Sequence, residues 1–183
     1  IFDLDTNAGS TDSQVISIHQ SRITAIAFTP SGTEIVIAAA DGTAFVRPID
    51  GVGKPIPLGS HPFAIWSLTF DEHGRRMVGG SWDGTTRIWD TASWAVVQSQ
   101  KGHDESVASV IIGKEGMVSA GLGGRLQFWP AQLRDTKLTG MITGPAEPVW
   151  IAVYSPDGRR LFLGGRGGRF EMWDVKESKL LFA

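Results

Sequence analysis

Gly32, Gly74, Gly116 and Gly158 stand 42 residues apart three times over, each closing a short polar cluster after an apolar run. A chain that repeats at about 40 to 50 residues is built of units that cannot bury their own apolar faces and must stack on neighbours. Aligned on these glycines, SRITAIAFTPSG (21–32), FAIWSLTFDEHG (63–74), ESVASVIIGKEG (105–116) and EPVWIAVYSPDG (147–158) each read as one strand entering a turn. A second apolar run follows each glycine and closes at Asp41-Gly42, Asp83-Gly84, Gly123-Gly124 and Gly167-Gly168. Such pairs suit two-residue hairpins, in which both central positions take positive φ. A third strand and a weaker fourth complete each unit, and nothing is long or periodic enough for a helix.

From the aligned glycine to the second turn the interval is nine residues in three units and seven in the third (116 to 123). A loss of two residues keeps the alternation of faces, whereas a loss of one would turn every later side chain over. Four antiparallel strands in about 40 residues, repeated in tandem, is the arithmetic of a β-propeller blade. The fold class expected is therefore all-β.

Several copies of one motif stand in phase with this repeat. Gly102-His103 is followed 26 residues later by Trp129, and His61 is followed 28 residues later by Trp89-Asp90. Ser81-Trp82-Asp83-Gly84-Thr85, Ser155-Pro156-Asp157-Gly158 and Trp173-Asp174 fit the same pattern. Nearly the whole chain resembles the Trp-Asp (WD) repeat family. In that family a His before the first strand, a hydroxyl in the second, an Asp in the second turn and a Trp in the third form a buried hydrogen-bond chain. No unit here is complete by that standard. Unit two has His61, Asp83 and Trp89 but Gly79 at the hydroxyl position. Unit three has His103, Ser119 and Trp129 but Gly123 for Asp. Unit one keeps His19 and Asp41 but has Arg47-Pro48, and unit four keeps Trp173 but has Pro145 and Gly167. Stability is expected to lean on apolar packing between blades.

Ile1-Phe2-Asp3 matches Ile88-Trp89-Asp90. The chain is therefore expected to hold about four and a half blades, an arc of a larger propeller of about seven by resemblance. Residues 1–18 would end a preceding blade, and 19–60, 61–102, 103–144 and 145–183 would be successive repeats, with fused domains outside the segment.

Composition narrows the function classes. The formal charge is −2, so no overall basic field draws in nucleic acid or an acidic membrane. The absence of cysteine excludes thiolate chemistry in this segment and fits a reducing, cytoplasmic setting. No apolar run reaches the roughly 18 residues of a membrane helix. His103, Asp104, Ser106 and Ser119 share the vocabulary of a catalytic triad. The resemblance, however, makes the histidine a strut inside a blade rather than a base beside an exposed nucleophile. The four histidines show no compact metal-ligand spacing. No catalytic residue, metal or cofactor is expected. Thr24, Ser67 and Ser109 are the polar groups of the first strands, and an enzyme with a channel site is the weakest reading.

Gly164-Gly165-Arg166-Gly167-Gly168-Arg169 lacks the Lys-Ser/Thr of a nucleotide loop and falls on a hairpin position, so a turn explains its glycines. With Arg159 and Arg160 it leaves nucleic-acid binding as a secondary alternative. Tryptophan is more telling. The repeat assigns Trp89, Trp129 and Trp173 to the core, and Trp94 to an outer-strand contact near the opposite face. Trp66 and Trp150 fall one residue after the apolar anchors Ile65 and Val149, on the opposite side by alternation. By resemblance the first strands line the central channel and begin on the top face. Trp82 and Arg166 hold equivalent second-turn positions, and Arg22 precedes a first strand. Exposed aromatics and arginines are enriched at binding hot spots. Arg22, Trp66, Trp82, Trp150 and Arg166 are the expected partner-binding set. The expected function is a non-catalytic platform, scaffold or sensor, for a protein or peptide.

Overall fold

A computed structural model describes residues 20–50, 53–114, 116–130, 140–143, 147–177 and 179–183. The strands form four antiparallel four-stranded sheets, each in sequence order. The first holds β1 (Ile23–Phe28), β2 (Glu34–Ala39), β3 (Thr43–Pro48) and β4 (Ile56–Ser60). The second holds β5 (Ile65–Phe70), β6 (Arg76–Ser81), β7 (Thr85–Asp90) and β8 (Val96–Lys101). The third holds β9 (Val107–Gly113), β10 (Gly116–Gly121), β11 (Arg125–Pro130) and β12 (Gly140–Thr143). The fourth holds β13 (Val149–Tyr154), β14 (Arg160–Gly165), β15 (Phe170–Asp174) and β16 (Lys179–Phe182). One 3-10 turn, Arg166–Gly168, interrupts the last sheet, and no helix among the described residues is long and apolar enough to cross a membrane. The half-unit expected at residues 1–18 lies outside the described residues.

Each sheet buries its apolar residues against the next sheet rather than within itself. Val36, Ala38, Val46 and Leu58 of sheet one pack on Ile65, Met77 and Trp89 of sheet two. Val78 and Ile88 pack on Val107, Met117 and Trp129, and Val118 and Leu126 pack on Val149, Leu161 and Trp173. The three tryptophans assigned to the core by the repeat are all buried there. Trp94 is also buried, and its ring meets Phe70 of the inner strand β5 edge-on.

The first strands β1, β5, β9 and β13 lie side by side, and hydroxyls join them where no ladder does. Thr24 Oγ1 donates to the Ile65 carbonyl at 2.5 Å, the Ser67 hydroxyl accepts the Val110 N–H at 3.0 Å, and that of Ser109 accepts the Ala152 N–H at 3.2 Å. These are the hydroxyls a channel enzyme would need, and here they tie neighbouring blades. Ser67→Ala is expected to lower stability by about 1 kcal/mol, read as a drop in urea midpoint at unchanged m-value.

The same packing leaves both ends of the row uncovered. Ile65, Val107 and Val149 are fully buried by the blade before them, whereas their counterpart Ile23 is 40 % exposed. At the other end Ile151 and Val153 are exposed. Among the described residues the four blades thus form an open arc.

Two turn expectations are corrected. In Asp41-Gly42 and Asp83-Gly84 only the glycine has positive φ, and Trp94 is the one non-glycine with positive φ among the described residues. With β2 ending at Ala39 and β3 starting at Thr43, these are three-residue loops closed by a left-handed glycine, not two-residue hairpins. Asp41 and Asp83 serve the turn by accepting the Thr43 and Thr85 N–H at 3.0 and 2.8 Å. Gly116 is not equivalent to the other repeat glycines either. Gly32, Gly74 and Gly158 have φ near +70° and donate back across the first hairpin, whereas Gly116 pairs with Gly113 inside the ladder. The missing step of unit three lies in that hairpin, and the strands keep their register. Met77↔Trp89, Met117↔Trp129 and Leu161↔Trp173 are the same pair in three blades.

Candidate interaction surface at the strand entrances

At the end of the arc where first strands begin, the top face, one backbone pattern repeats four times. The residue opening each second turn gives its N–H to the residue just before the first strand. The pairs are Ala40 to Arg22 (2.8 Å), Trp82 to Ala64 (2.9 Å), Leu122 to Ser106 (2.9 Å) and Arg166 to Pro148 (3.2 Å). Beside each pair the ladder skips one residue: Thr24, Trp66, Ala108 and Trp150 have no partner across the strand. This is a β-bulge, which adds a residue and re-aims its side chain. Trp66 and Trp150 thus leave the line of Ile65 and Val149 through a bulge rather than through plain alternation.

In blades one and two the bulge builds a stack. The Trp66 and Trp82 rings lie 5.2 Å apart at 26°, and the Arg22 guanidinium sits 5.6 Å from the Trp66 ring centre. Stacked indoles with a cation over one face are a favourable electrostatic arrangement. Trp66 is half-buried, with its Nε1 sealed from solvent and without a hydrogen-bond partner, while Trp82 remains 46 % exposed. Three of the five expected residues therefore come together. Trp150, 53 % exposed, and Arg166 stand apart on blade four, because blade three offers only Ala108 and Leu122 at the matching positions. The four C-terminal arginines divide likewise. Arg159 and Arg160 flank the first turn and Arg166 and Arg169 the second, at opposite ends of six-residue β14, about 17 Å of strand.

Behind this surface lie the partial polar networks. In blade two His61 Nδ1 is 3.3 Å from the Asp83 carboxylate, which also accepts the Thr85 hydroxyl at 2.5 Å. With Gly79 at the hydroxyl position, His61 Nε2 is buried without a partner, and the Trp89 indole donates instead to the Leu58 carbonyl. Burial and the charge of Arg87 hold the His61 pKa below its ordinary value despite Asp83, so this contact is a neutral N–H to carboxylate bond. Burial pushes Asp83 up, but the Thr85 hydroxyl and amide and His61 together hold it below the usual carboxylate value.

Blade three is the complement. His103 Nε2 is 2.7 Å from the Ser119 hydroxyl, which also receives the Trp129 indole N–H at 3.1 Å. Burial, helped by Arg125 and opposed by Asp104, depresses His103 to about 4. In blade four Trp173 donates to buried Glu171 at 2.8 Å. His19 and Pro145, read as the corresponding positions of units one and four, lie outside the described residues.

Sequence reasoning registered the lost aspartate at Gly123 but missed its consequence, a pocket of about 150 Å³ lined by His103, Asp104, Glu105, Gly121, Gly123 and Arg125. The signal was the pair of changes from Asp83 to Gly123 and from Thr85 to Arg125. Among the described residues no cluster of three or more His, Asp or Glu could hold a metal ion.

Four-stranded blades stacked through their inner strands define a segment of a β-propeller. The family model for the WD domain, G-beta repeat, matches residues 10–46 and 55–90, and together with the WD-repeat relatives below it supports a WD-repeat family for this chain. It is 27% identical over 143 residues to NACHT domain- and WD repeat-containing protein 1 of Mus musculus, covering 75% of this chain and 9% of that protein. It is 24% identical over 145 residues to SIR4-interacting protein SIF2 of Saccharomyces cerevisiae, covering 79% and 27%. WD repeat-containing protein VIP3 of Arabidopsis thaliana matches at 26% identity over 166 residues, covering 89% and 42%. Among solved structures the computationally designed Ika8 protein superposes with a TM-score of 0.75 at 25% identity, over 89% of this chain and 49% of that one. The chain thus spans less than half the length of each of these proteins.

Proposed function

We propose that this arc is a non-catalytic interaction module whose top face binds a protein or peptide segment on the Arg22–Trp66–Trp82 stack. Trp150 and Arg166 form a second, separate contact on blade four. The observation that carries the reading is the stack itself: a half-open pair of indoles, one with a sealed N–H lacking an acceptor, flanked by a cation. A partner would supply apolar or planar area to Trp82 and an acceptor to Arg22. Because the residues stand on turns and bulges of rigid sheets, little ordering entropy opposes binding. One relative's name describes it as SIR4-interacting and another's pairs a NACHT domain with WD repeats. The first supports a partner-binding scaffold and the second a sensor carried with another domain, while the exposed ends of the arc favour cover by further blades of a larger ring. The inner-strand hydroxyls act as inter-blade bonds, which supports a non-enzymatic role.

The test compares wild type with Trp66→Ala/Trp82→Ala as baits in quantitative affinity purification. Hot-spot aromatics are worth about 2 kcal/mol or more each, so partner recovery is expected to fall about 30-fold or further while the circular dichroism spectrum is retained. Undiminished recovery by the folded double variant overturns the site.

A further inference from the structure

Blades two and three offer an internal comparison at one site. In blade two the Asp83 carboxylate fills the space beside the histidine, meeting His61 Nδ1, the Thr85 N–H and the Thr85 hydroxyl. In blade three Gly123 removes the carboxylate and Arg125 removes the hydroxyl, its guanidinium reaching the Asp104 carboxylate at 2.7 Å. The space they leave is the pocket of about 150 Å³, room for a small polar group.

Its inner wall is His103, only 2 % exposed. The Ser119 oxygen already accepts the Trp129 N–H, so its single proton is best given to His103 Nε2. That bookkeeping places the ring proton on Nδ1, as in the His61–Asp83 pair. No hydrogen bond reaches Nδ1 among the described residues. Nδ1 therefore meets the pocket as an N–H donor with no acceptor among the described residues, open to whatever enters. Opposite it, the Glu105 carboxylate lies so close to Gly123 that a Cβ there would meet its Oε2 at 2.9 Å. Arg125 and Asp104 cancel, leaving Glu105 as the net charge of the lining.

A ligand must accept from His103 and donate to Glu105. A carboxylate cannot donate and is repelled by Glu105, an ammonium cannot accept, and a single water or hydroxyl, which can do both, underfills a space of about 150 Å³. We propose that the blade-three pocket receives a carboxamide, the Asn or Gln side chain of a partner protein, with its oxygen on His103 Nδ1 and its amide N–H on Glu105. Ser106, next in the chain to Glu105 of the lining, donates its hydroxyl to the Trp82 carbonyl at 3.1 Å, which ties this segment to the second turn of blade two. The inference stands on the pocket alone and does not require the stack to bind anything.

The experiment titrates the whole chain with acetamide, sodium acetate or methylammonium chloride at matched ionic strength, reading the imidazole nitrogens by NMR. Acetamide alone is expected to shift the His103 resonances along a saturating curve, with a dissociation constant in the millimolar range or weaker for so small a probe. Gly123→Asp supplies the carboxylate internally, displacing only the end of the Glu105 side chain, and is expected to abolish the response. Glu105→Ala, which removes the acceptor on that wall and keeps His103, is expected to weaken it about 10-fold. Trp82→Ala is expected to leave it unchanged, separating this site from the stack. Saturation by acetate or methylammonium at equal or lower concentration overturns the proposal, as does the absence of any saturating probe or a full response in Gly123→Asp.

Discussion

Alanine at Gly84 is expected to lower stability by about 3 to 5 kcal/mol, among the largest effects available to a single methyl group in this chain. Two costs add. Gly84 has φ +80°, a region that costs an L-residue about 1 to 2 kcal/mol. A Cβ there would also stand 2.4 Å from the His103 carbonyl oxygen and 2.9 Å from that of Glu105, backbone atoms that cannot swing aside. The Gly84 carbonyl accepts the His103 N–H at 3.3 Å, so the chain entering blade three is held against the second turn of blade two at this glycine. Gly158→Ala separates the terms. Gly158 has nearly the same φ, +72°, with nothing within 4 Å of a Cβ, and is expected to cost only about 1 to 2 kcal/mol. Urea titrations followed by tryptophan fluorescence give both values. Equal losses in the two variants would refute the close-approach argument and leave backbone strain alone.

Gly84 also marks how far the sequence speaks. The repeat shows where turns fall, because turn residues are local and recur in phase, and it places Trp89, Trp129 and Trp173 inside, because the pattern that spaces them sets their faces. It does not show which turn residue takes the left-handed conformation. Asp-Gly serves a two-residue hairpin as well as the three-residue loop found at Asp41-Gly42 and Asp83-Gly84. Gly116 matched the 42-residue count through a compensation: unit three lost its residues in the first hairpin, so a strand glycine arrived where a turn glycine was due. The bulges at Trp66 and Trp150 leave no mark in composition, since a bulge changes pairing and not residue type. The stack of Arg22 on Trp66 joins residues of two blades, a distance in sequence that only the fold closes. The pocket was half legible. Gly123 announced a missing carboxylate, but the void depends also on Arg125 turning outward to Asp104, a choice of side-chain direction.

Acidification tests the buried histidine of that pocket. His103 is held neutral to about pH 4 in the fold, while an unfolded histidine takes its proton near 6.5. Between those values the unfolded chain binds more protons than the folded one, so stability rises with pH across the window. It is fully present above about pH 6.5 and is lost as the pH falls towards 4. The total is about 3 kcal/mol for a shift of this size. His61 is shifted in the same direction and adds to the slope, although its bond to Asp83 opposes the shift. The depressed carboxylate Asp83 contributes stability that is lost only as the pH falls below the ordinary carboxylate value of 3.8, outside most of the window. Urea midpoints at about pH 7.5, 6.0 and 5.0 are therefore expected to fall steadily in wild type. In His103→Gln, which keeps a polar side chain but does not titrate, they are expected to fall much less. A wild-type slope unchanged by that substitution would mean that another group carries the acid sensitivity. The dominance of burial at His103 has a structural reason. Asp104, whose charge favours the protonated form, is committed to Arg125 at 2.7 Å, and the residue that would have stood against Nδ1, as Asp83 does against His61, is Gly123.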